Sequence, residues 1–339
     1  MCVAAIDMMV SSARNLLIGF GLAGLLVPVV QAQTWAPALR GPAEREIQVL
    51  HVKGSVYMLV GSGGNIAVQV GDQGTLLVDT GGAAMTDEVL AAVETITPEP
   101  IRYIINTSHA VDYTGGNAAI AAAGRQALNF RGAGSSSVQG QFGADRASTI
   151  SFYTVFHRMA APPGGLEPRE ELAWPNNTFS IPLKRLYFND EPVMIMHRPS
   201  TTDGNVVVLF RKSDVVAAGG LLNLETFPMI DVDAGGSVQA VVDGLNGLID
   251  LAVPSGRSEG GTLIIPGRGR IADFAEAAQQ RDMMTVIRDR VQDMIDKGMT
   301  LAEVFEAGPT RGYDARYGRD TGPWTTEMFV EAVYRSLNE

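Results

Sequence analysis

The first half of the chain alternates short apolar runs with Gly- and Asp-containing turns, a pattern that predicts β-strands. One stretch, residues 85–93, instead carries its apolar residues at helical spacing and is closed by Pro98. The apolar runs that predict strands cover residues 47–60, 66–70, 75–81 and 101–105. The first half is therefore predicted to contain a sheet and a helix.

The second half continues with strands and ends in helices. Strands, the last with its following loop, are predicted over residues 183–188, 193–196, 206–210, 215–222 and 263–269. Helices are predicted over residues 152–159, 237–251, 271–297, 301–306 and 325–337. Gly298 follows the longest helix, where glycine is a favourable C-terminal cap. Strands and helices thus mix along the whole chain, as in an α/β protein.

The N-terminus has the features of a secretory signal. Arg14 supplies a positive charge, residues 16–30 form an apolar stretch, and residues 30–32 (Val-Gln-Ala) fit a cleavage site. A membrane anchor is the alternative, but the stretch is short for a bilayer span and contains several glycines and a proline. We therefore predict a signal peptide over residues 1–32, an N-terminal tether over 33–46, and a secreted or periplasmic protein with no membrane segment after cleavage.

Charge and cysteine content narrow the range of partners and of metal chemistry. The 339 residues are 46% hydrophobic and carry a net charge of −11, so binding to a nucleic acid backbone is not expected. The single cysteine, Cys2, lies within the predicted signal peptide. The mature chain is therefore predicted to lack disulfides and zinc sites with a thiolate ligand.

The candidate chemistry lies between a predicted strand and a predicted helix. The strand at residues 101–105 is followed by the polar loop 106–117, and small residues at 118–123 favour a helix. Loops that follow buried strands are where α/β proteins place their functional side chains. We therefore expect the functional site to include this loop.

This loop resembles the signature of the metallo-β-lactamase superfamily, Asn-Thr-His-x-His-x-Asp-His-Thr-Gly-Gly-Asn. The frame is present as residues 106–107 and 114–117, and Asp112 keeps its identity. The three histidine positions of the pattern hold Ser108, Ala110 and Tyr113. The resemblance therefore extends to the frame of the motif but not to most of its metal ligands.

Further motifs extend the resemblance over residues 47–337. Residues 76–81 match the family's Leu-Leu-Val-Asp-Thr-Gly, in which Asp79 is expected to orient a loop through hydrogen bonds. Three more ligand positions of the family are occupied by Thr201, Gly220 and Arg268. The resemblance implies a four-layer αββα sandwich with additional C-terminal helices, formed by a domain at 47–270 and a helical extension at 271–339.

The resemblance also implies a zinc site, and the residues present predict its loss. Seven positions form the vestigial metal-site pocket: Ser108, Ala110, Asp112, Tyr113, Thr201, Gly220 and Arg268. Only Asp112 is a usual zinc ligand, and a guanidinium does not bind zinc. We predict that Arg268 replaces the cation and pairs with Asp112.

The leading interpretation is a protein of this fold that has lost zinc and hydrolase activity. Its pocket is predicted to bind a small anionic molecule through three groups that donate hydrogen bonds around one positive charge. The residues of this predicted ligand site are Ser108, Tyr113, Thr201 and Arg268.

Two other functions stay open at this point. The first is an active hydrolase of β-lactam, lactone or other ester substrates. It would use a metal site rebuilt from His109, Asp112 and His51 or His197, or a metal-free site with Ser108 beside His109 or a Tyr113 phenol acidified by Arg268. The second is an interaction protein that uses an exposed insertion at residues 129–149. The sequence identifies no protein partner.

Overall fold

The computed structural model describes residues 46–126, 146–162, 166–256 and 260–338. Within these residues the strands form a seven-stranded sheet, in the order β1 to β7, and a five-stranded sheet, in the order β12-β11-β10-β9-β8. The strands of the first sheet are β1 (Gln48–Lys53), β2 (Val56–Val60), β3 (Ile66–Gly71), β4 (Gly74–Val78), β5 (Ile101–Asn106), β6 (Ser148–Phe152) and β7 (Asn177–Phe179). Those of the second are β8 (Leu183–Phe188), β9 (Glu191–His197), β10 (Val206–Phe210), β11 (Val215–Asn223) and β12 (Leu263–Arg268).

The two sheets face each other, and helices cover both outer faces. In β4, Leu76 and Val78 belong to the core between the sheets, whereas Leu77 faces helices on the other side. In β11, Val215 faces the inner core and Val216 faces the outer helices. Strands buried on both faces read as continuous apolar runs. The predicted four-layer αββα sandwich is confirmed.

The helices divide between the two outer layers. Helices α1 and α3 cover the seven-stranded sheet, and α5, α6 and α9 share a core with the five-stranded sheet. The helices are α1 (Thr86–Ile96), α2 (Val111–Thr114), α3 (Asn117–Ala123), α4 (Tyr153–Ala160), α5 (Val238–Leu251), α6 (Phe274–Asp296), α7 (Leu301–Ala307), α8 (Asp314–Tyr317) and α9 (Thr326–Asn338). The predicted C-terminal helices are therefore present and packed on the sandwich.

Local signals define the ends of the C-terminal helices. Asp273 and Glu276 form a capping box at the start of α6, so the helix begins at Phe274 rather than at the predicted residue 271. Gly298 follows α6 with φ +75°, as its assignment as a cap requires. Phe329 of α9 stacks on Phe227 with ring centroids 4.5 Å apart, which attaches α9 to the loop after β11.

The prediction of an exposed insertion at residues 129–149 is wrong for its last residues, 147–149. Ala147 is fully buried, and Ser148 begins strand β6, which pairs in parallel with β5 and β7. Strand β6 was not recognised in the sequence because it contains three polar residues, Ser148, Thr149 and Ser151. Residues 127–145 lie outside the described residues, as do the predicted signal peptide and nearly all of the tether. Among the helices described, none is long and apolar enough to cross a membrane.

Candidate functional site

The loop after β5 is held by buried amides at its two ends. The Asn106 and Asn117 side chains donate to each other's oxygens at 3.0 and 2.9 Å. The Asn117 oxygen also accepts from the Thr80 hydroxyl at 3.0 Å, and its nitrogen donates to the Ala173 carbonyl at 2.9 Å. Both asparagines are fully buried, so the frame of the motif positions the loop.

Asp79 fixes the same loop from β4. Its carboxylate accepts from the Thr107 backbone N–H at 2.7 Å and from the Thr107 hydroxyl at 2.6 Å. The expected loop-orienting role of Asp79 is confirmed. Burial raises the pKa of Asp79 to about 7, although the two hydrogen bonds from Thr107 oppose the rise. The backbone at Asp79 has φ +68°, a strained conformation that delivers the carboxylate to Thr107.

A cavity of about 480 Å³ lies above this loop, and we call it the site cavity. Most of its lining comes from three segments: residues 108–113, residues 229–233 and residues 323–335. Six of the seven predicted pocket residues line it, namely Ser108, Ala110, Asp112, Tyr113, Thr201 and Gly220. The structure therefore brings these six together. Arg268 does not line the cavity, but it contacts one member of the group, Asp112.

Arg268 pairs directly with Asp112, as predicted. The guanidinium Nη2 donates to the Asp112 carboxylate Oδ2. The side chains are 26% and 33% exposed, so the pair is partly hydrated rather than deeply buried, and its net stabilisation is modest. Among the seven predicted metal positions, Asp112 is the one side chain that is a usual zinc ligand, and the ion pair occupies it.

Tyr113 fills space that two glycines leave open. A Cβ at Gly220 would lie 3.2 Å from the Tyr113 hydroxyl oxygen, and a Cβ at Gly267 would lie 2.6 Å from it. The ring is only 9% exposed. Burial raises the pKa of Tyr113 well above its usual range, and the opposing charge of Arg268 is a smaller effect. The predicted acidified phenol is therefore wrong, because burial outweighs the nearby guanidinium.

The replacements at positions 113 and 220 are coupled, and a double-mutant cycle tests this. We expect Gly220→Asp to lower the free energy of unfolding by about 2 kcal/mol, because its Cβ and carboxylate crowd the Tyr113 ring. In a Tyr113→His background the same substitution is expected to cost markedly less. Urea denaturation of the four proteins measures both steps, and equal costs in the two backgrounds would refute the coupling.

The hydroxyl groups of the pocket serve largely local structure. The Thr201 hydroxyl donates to the Asn205 side-chain oxygen at 3.1 Å, and that oxygen also accepts from the Thr202 N–H and hydroxyl. The Ser108 oxygen accepts a long hydrogen bond of 3.4 Å from the Ala110 N–H. Thr201 thus donates its hydroxyl proton to Asn205, and Ser108 is only 2% exposed, which does not favour the predicted metal-free site at Ser108.

His109 has a partner that the sequence did not reveal. Its Nε2 lies 3.6 Å from Asp231 Oδ2, in the wall of the site cavity. Contact with the imidazole lowers the pKa of Asp231 against the opposing effect of burial. His109 therefore faces Asp231, and no hydrogen bond joins it to Ser108 within the described residues. Nothing in the sequence links two residues so far apart in the chain.

The other histidines do not assemble a metal site with His109 and Asp112. His51 lies on the edge strand β1 and contacts the Gly54 carbonyl at 2.9 Å. His197 contacts the Asp203 carbonyl at 2.6 Å and stacks on a phenylalanine ring. Across the described ranges, no three His, Cys, Asp or Glu side chains are grouped so as to hold a metal ion.

Comparison with known proteins assigns the family. The profile of the metallo-β-lactamase superfamily matches residues 59–254, more than half of the chain. The chain belongs to the metallo-β-lactamase superfamily. No curated protein matches the sequence.

Solved structures share the fold at low sequence identity. The stereoselective inverting sec-alkylsulfatase Pisa1 from Pseudomonas sp. aligns with a TM-score of 0.61 at 15% identity, over 85% of this chain and 50% of the sulfatase. A double mutant of the same enzyme aligns with a TM-score of 0.63. A metallo-β-lactamase from Pontibacter korlensis aligns with a TM-score of 0.51 at 15% identity, over 71% of this chain and 99% of that one. This chain thus spans half the length of the sulfatase, and the likeness establishes the fold alone.

The residues at the family's metal positions do not fit zinc. Zinc requires several imidazole, carboxylate or thiolate ligands at one point. The family's metal positions that line the site cavity offer two hydroxyls, a phenol of raised pKa, two positions without a donor side chain and one carboxylate. Asp112 is the single carboxylate among them, and Arg268 already neutralises it. The donor set therefore disagrees with the cofactor that the family implies.

Proposed function

We propose that this protein has lost the zinc-dependent hydrolase activity of its superfamily and keeps the site cavity as a binding site. The ion pair between Arg268 and Asp112 is the observation that carries the proposal. A zinc ion at the family's position would have to displace a fixed positive charge from Asp112, the only carboxylate among the seven metal positions. The substitutions at the other ligand positions offer no imidazole or carboxylate in return.

The cavity itself supports retained binding rather than simple decay of an active site. Its volume of about 480 Å³ lies in the range of small-molecule sites. Its floor is kept in place by the buried Asn106–Asn117 pair and by Asp79. The small anionic ligand predicted from the sequence stays a prediction. It gains little from Arg268, because Asp112 already balances that charge.

Export belongs to the proposal as well. The support for it is the signal-like sequence of residues 1–32, with its charge, apolar stretch and small-residue cleavage site. Cell fractionation followed by N-terminal sequencing of the processed chain tests it, with a new N-terminus near Gln33 as the expected result.

Zinc content of the purified protein is the first test. After incubation with excess zinc and desalting, we expect close to zero zinc per chain, because the donors at the family's positions do not hold a divalent cation. Mass spectrometry of the metal measures the ratio. One or two zinc ions per chain would overturn the proposal and indicate a rebuilt site.

Hydrolysis assays separate the proposal from an active enzyme. A β-lactam, a lactone and a secondary alkyl sulfate cover the ester alternative and the activities of the structural neighbours. We expect no turnover above a matched blank, with or without chelator. Turnover that a chelator abolishes would indicate metal catalysis, and turnover that survives chelation would indicate a metal-free site; either result contradicts the proposal.

A further inference from the structure

Each of the three main segments around the site cavity contributes an exposed apolar side chain. Val111, Met229 and Met328 are 62%, 40% and 42% exposed, and each comes from a different wall. Large apolar side chains exposed around one concave surface are typical of a binding site. The indole of Trp324 adds an aromatic surface to the same walls. A ligand that fills the site cavity therefore needs an apolar part.

The charges around the cavity are mainly negative. Asp112, Asp231, Asp233 and Glu331 line it together with a single guanidinium, Arg335. Asp112 is paired with Arg268. Arg335 pairs with Asp233, and Asp231 faces His109, which is charged only when protonated. The Glu331 side chain is exposed and makes no hydrogen bond or ion pair in the described part of the chain. The balance thus leaves negative charge beside an aromatic and apolar surface.

We propose that the site cavity binds an amphipathic organic cation, an amine or quaternary ammonium group on an apolar body. Glu331 and Asp231 attract the positive head, and Trp324 offers an aromatic face for a cation–π contact. The exposed methionines and Val111 cover the apolar body, since thioether side chains adapt to varied shapes. This inference names the ligand class of the proposed binding site and rests on that proposed function.

The same charges disfavour an anion. A carboxylate or phosphate ligand would approach four carboxylates in the walls, and like charges brought together in a partly desolvated site repel. Arg268 does not compensate, because it is absent from the lining and is paired with Asp112. We therefore expect a cation to bind more tightly, and an anion of equal size less tightly, than a neutral molecule of that size.

Three matched probes test the charge preference on the full chain. They are 4-phenylbutyl-trimethylammonium, 5-phenylpentanol and 5-phenylpentanoate, which share an apolar body and differ in the charge of the head. Isothermal titration calorimetry at low ionic strength and pH 8 measures each affinity. We expect the cation to bind at least about tenfold more tightly than the alcohol, and the anion to bind more weakly than the alcohol. Tightest binding by the anion, or equal binding by all three, would overturn the inference.

Two glutamates on one helix locate the bound head. Glu331→Gln is expected to weaken cation binding by about threefold or more and to leave alcohol binding unchanged. Glu327→Gln is the matched control, because Glu327 is exposed on α9 but lies outside the lining of the site cavity. Circular dichroism verifies that both variants are folded. An unchanged cation affinity in Glu331→Gln, or an equal loss in both variants, would overturn the assignment.

Zinc content of the same preparation separates the two proposals. A zinc-free protein that fails to prefer the cation overturns only the ligand class. A zinc-loaded protein overturns the proposed loss of the metal site, whatever the probes do.

Discussion

Alanine at Gly115 is expected to lower the free energy of unfolding by at least about 3 kcal/mol, a large share of the stability of a typical domain. A Cβ at this position would lie 2.5 Å from the Ala83 nitrogen, 2.8 Å from the Val111 oxygen and 3.0 Å from the Gly81 oxygen. All three atoms belong to the backbone, so no side-chain rotation relieves the overlap.

The backbone conformation of Gly115 separates this steric effect from any cost of backbone strain. Its φ of −61° and ψ of −34° are helical, so alanine is favourable for the local backbone and the cost must arise from the crowded contacts. The glycine lets the turn after α2 approach the loop that follows β4. The two loops together hold the floor of the site cavity.

Urea denaturation of Gly115→Ala against Gly256→Ala measures the effect. A Cβ at Gly256 would meet nothing within 4 Å, so the control is expected to change stability by less than about 0.5 kcal/mol. Gly115→Ala should also reduce binding of any ligand of the site cavity, because the floor has to move. Similar stabilities for the two variants would show that the loops are not closely packed.

The fold was predictable because burial leaves a direct record in the sequence. Strands such as β10 and β11 are covered on both faces, so their apolar runs are continuous and easily recognised. Strand β6 was missed because Ser148, Thr149 and Ser151 occupy it, and small polar residues are tolerated there by pairing with β5 and β7. Tertiary pairing that overrides local polarity is not visible in one sequence.

The part of the site that was predictable is the ion pair, because it depends only on the charges of the two side chains. A carboxylate that loses its metal needs a new partner, and Arg268 was the cation placed to provide it. The acidity of Tyr113 was not predictable, because it depends on burial between Gly220 and Gly267. The same is true of His109 beside Asp231, and of Trp324 and Met328, which enter the site cavity only because α9 docks there.

The second large effect is on pH dependence, through Asp79. Its pKa is raised from 3.8 to about 7 by burial, so the folded state binds a proton more tightly than the unfolded chain. Below about pH 3 the group is protonated in both states and costs no stability. As the pH rises from about 4 to 7 the unfolded state ionises first, so stability falls, and above pH 7 the loss is complete. At about 1.4 kcal/mol per pH unit, the upper bound of this loss is about 4 kcal/mol.

Asp79→Asn is expected to remove this pH dependence while preserving the fold. Asparagine tolerates the positive φ of position 79, its oxygen accepts from the Thr107 N–H, and the Thr107 hydroxyl accepts from its amide. The variant should lie within about 1 kcal/mol of the wild type at pH 4 and exceed it by up to about 4 kcal/mol at pH 8. Urea denaturation at intervals between these values provides the comparison.

Asp72→Asn is the control, because Asp72 is exposed in the turn between β3 and β4 and should follow the wild-type curve. If the free energies of unfolding of Asp79→Asn and wild type change in parallel with pH, the prediction is wrong. The charged carboxylate would then be well solvated in the folded protein. A difference that opens between pH 4 and 7 would show that the loop under the site cavity is held by a carboxyl group whose ionisation destabilises the folded protein.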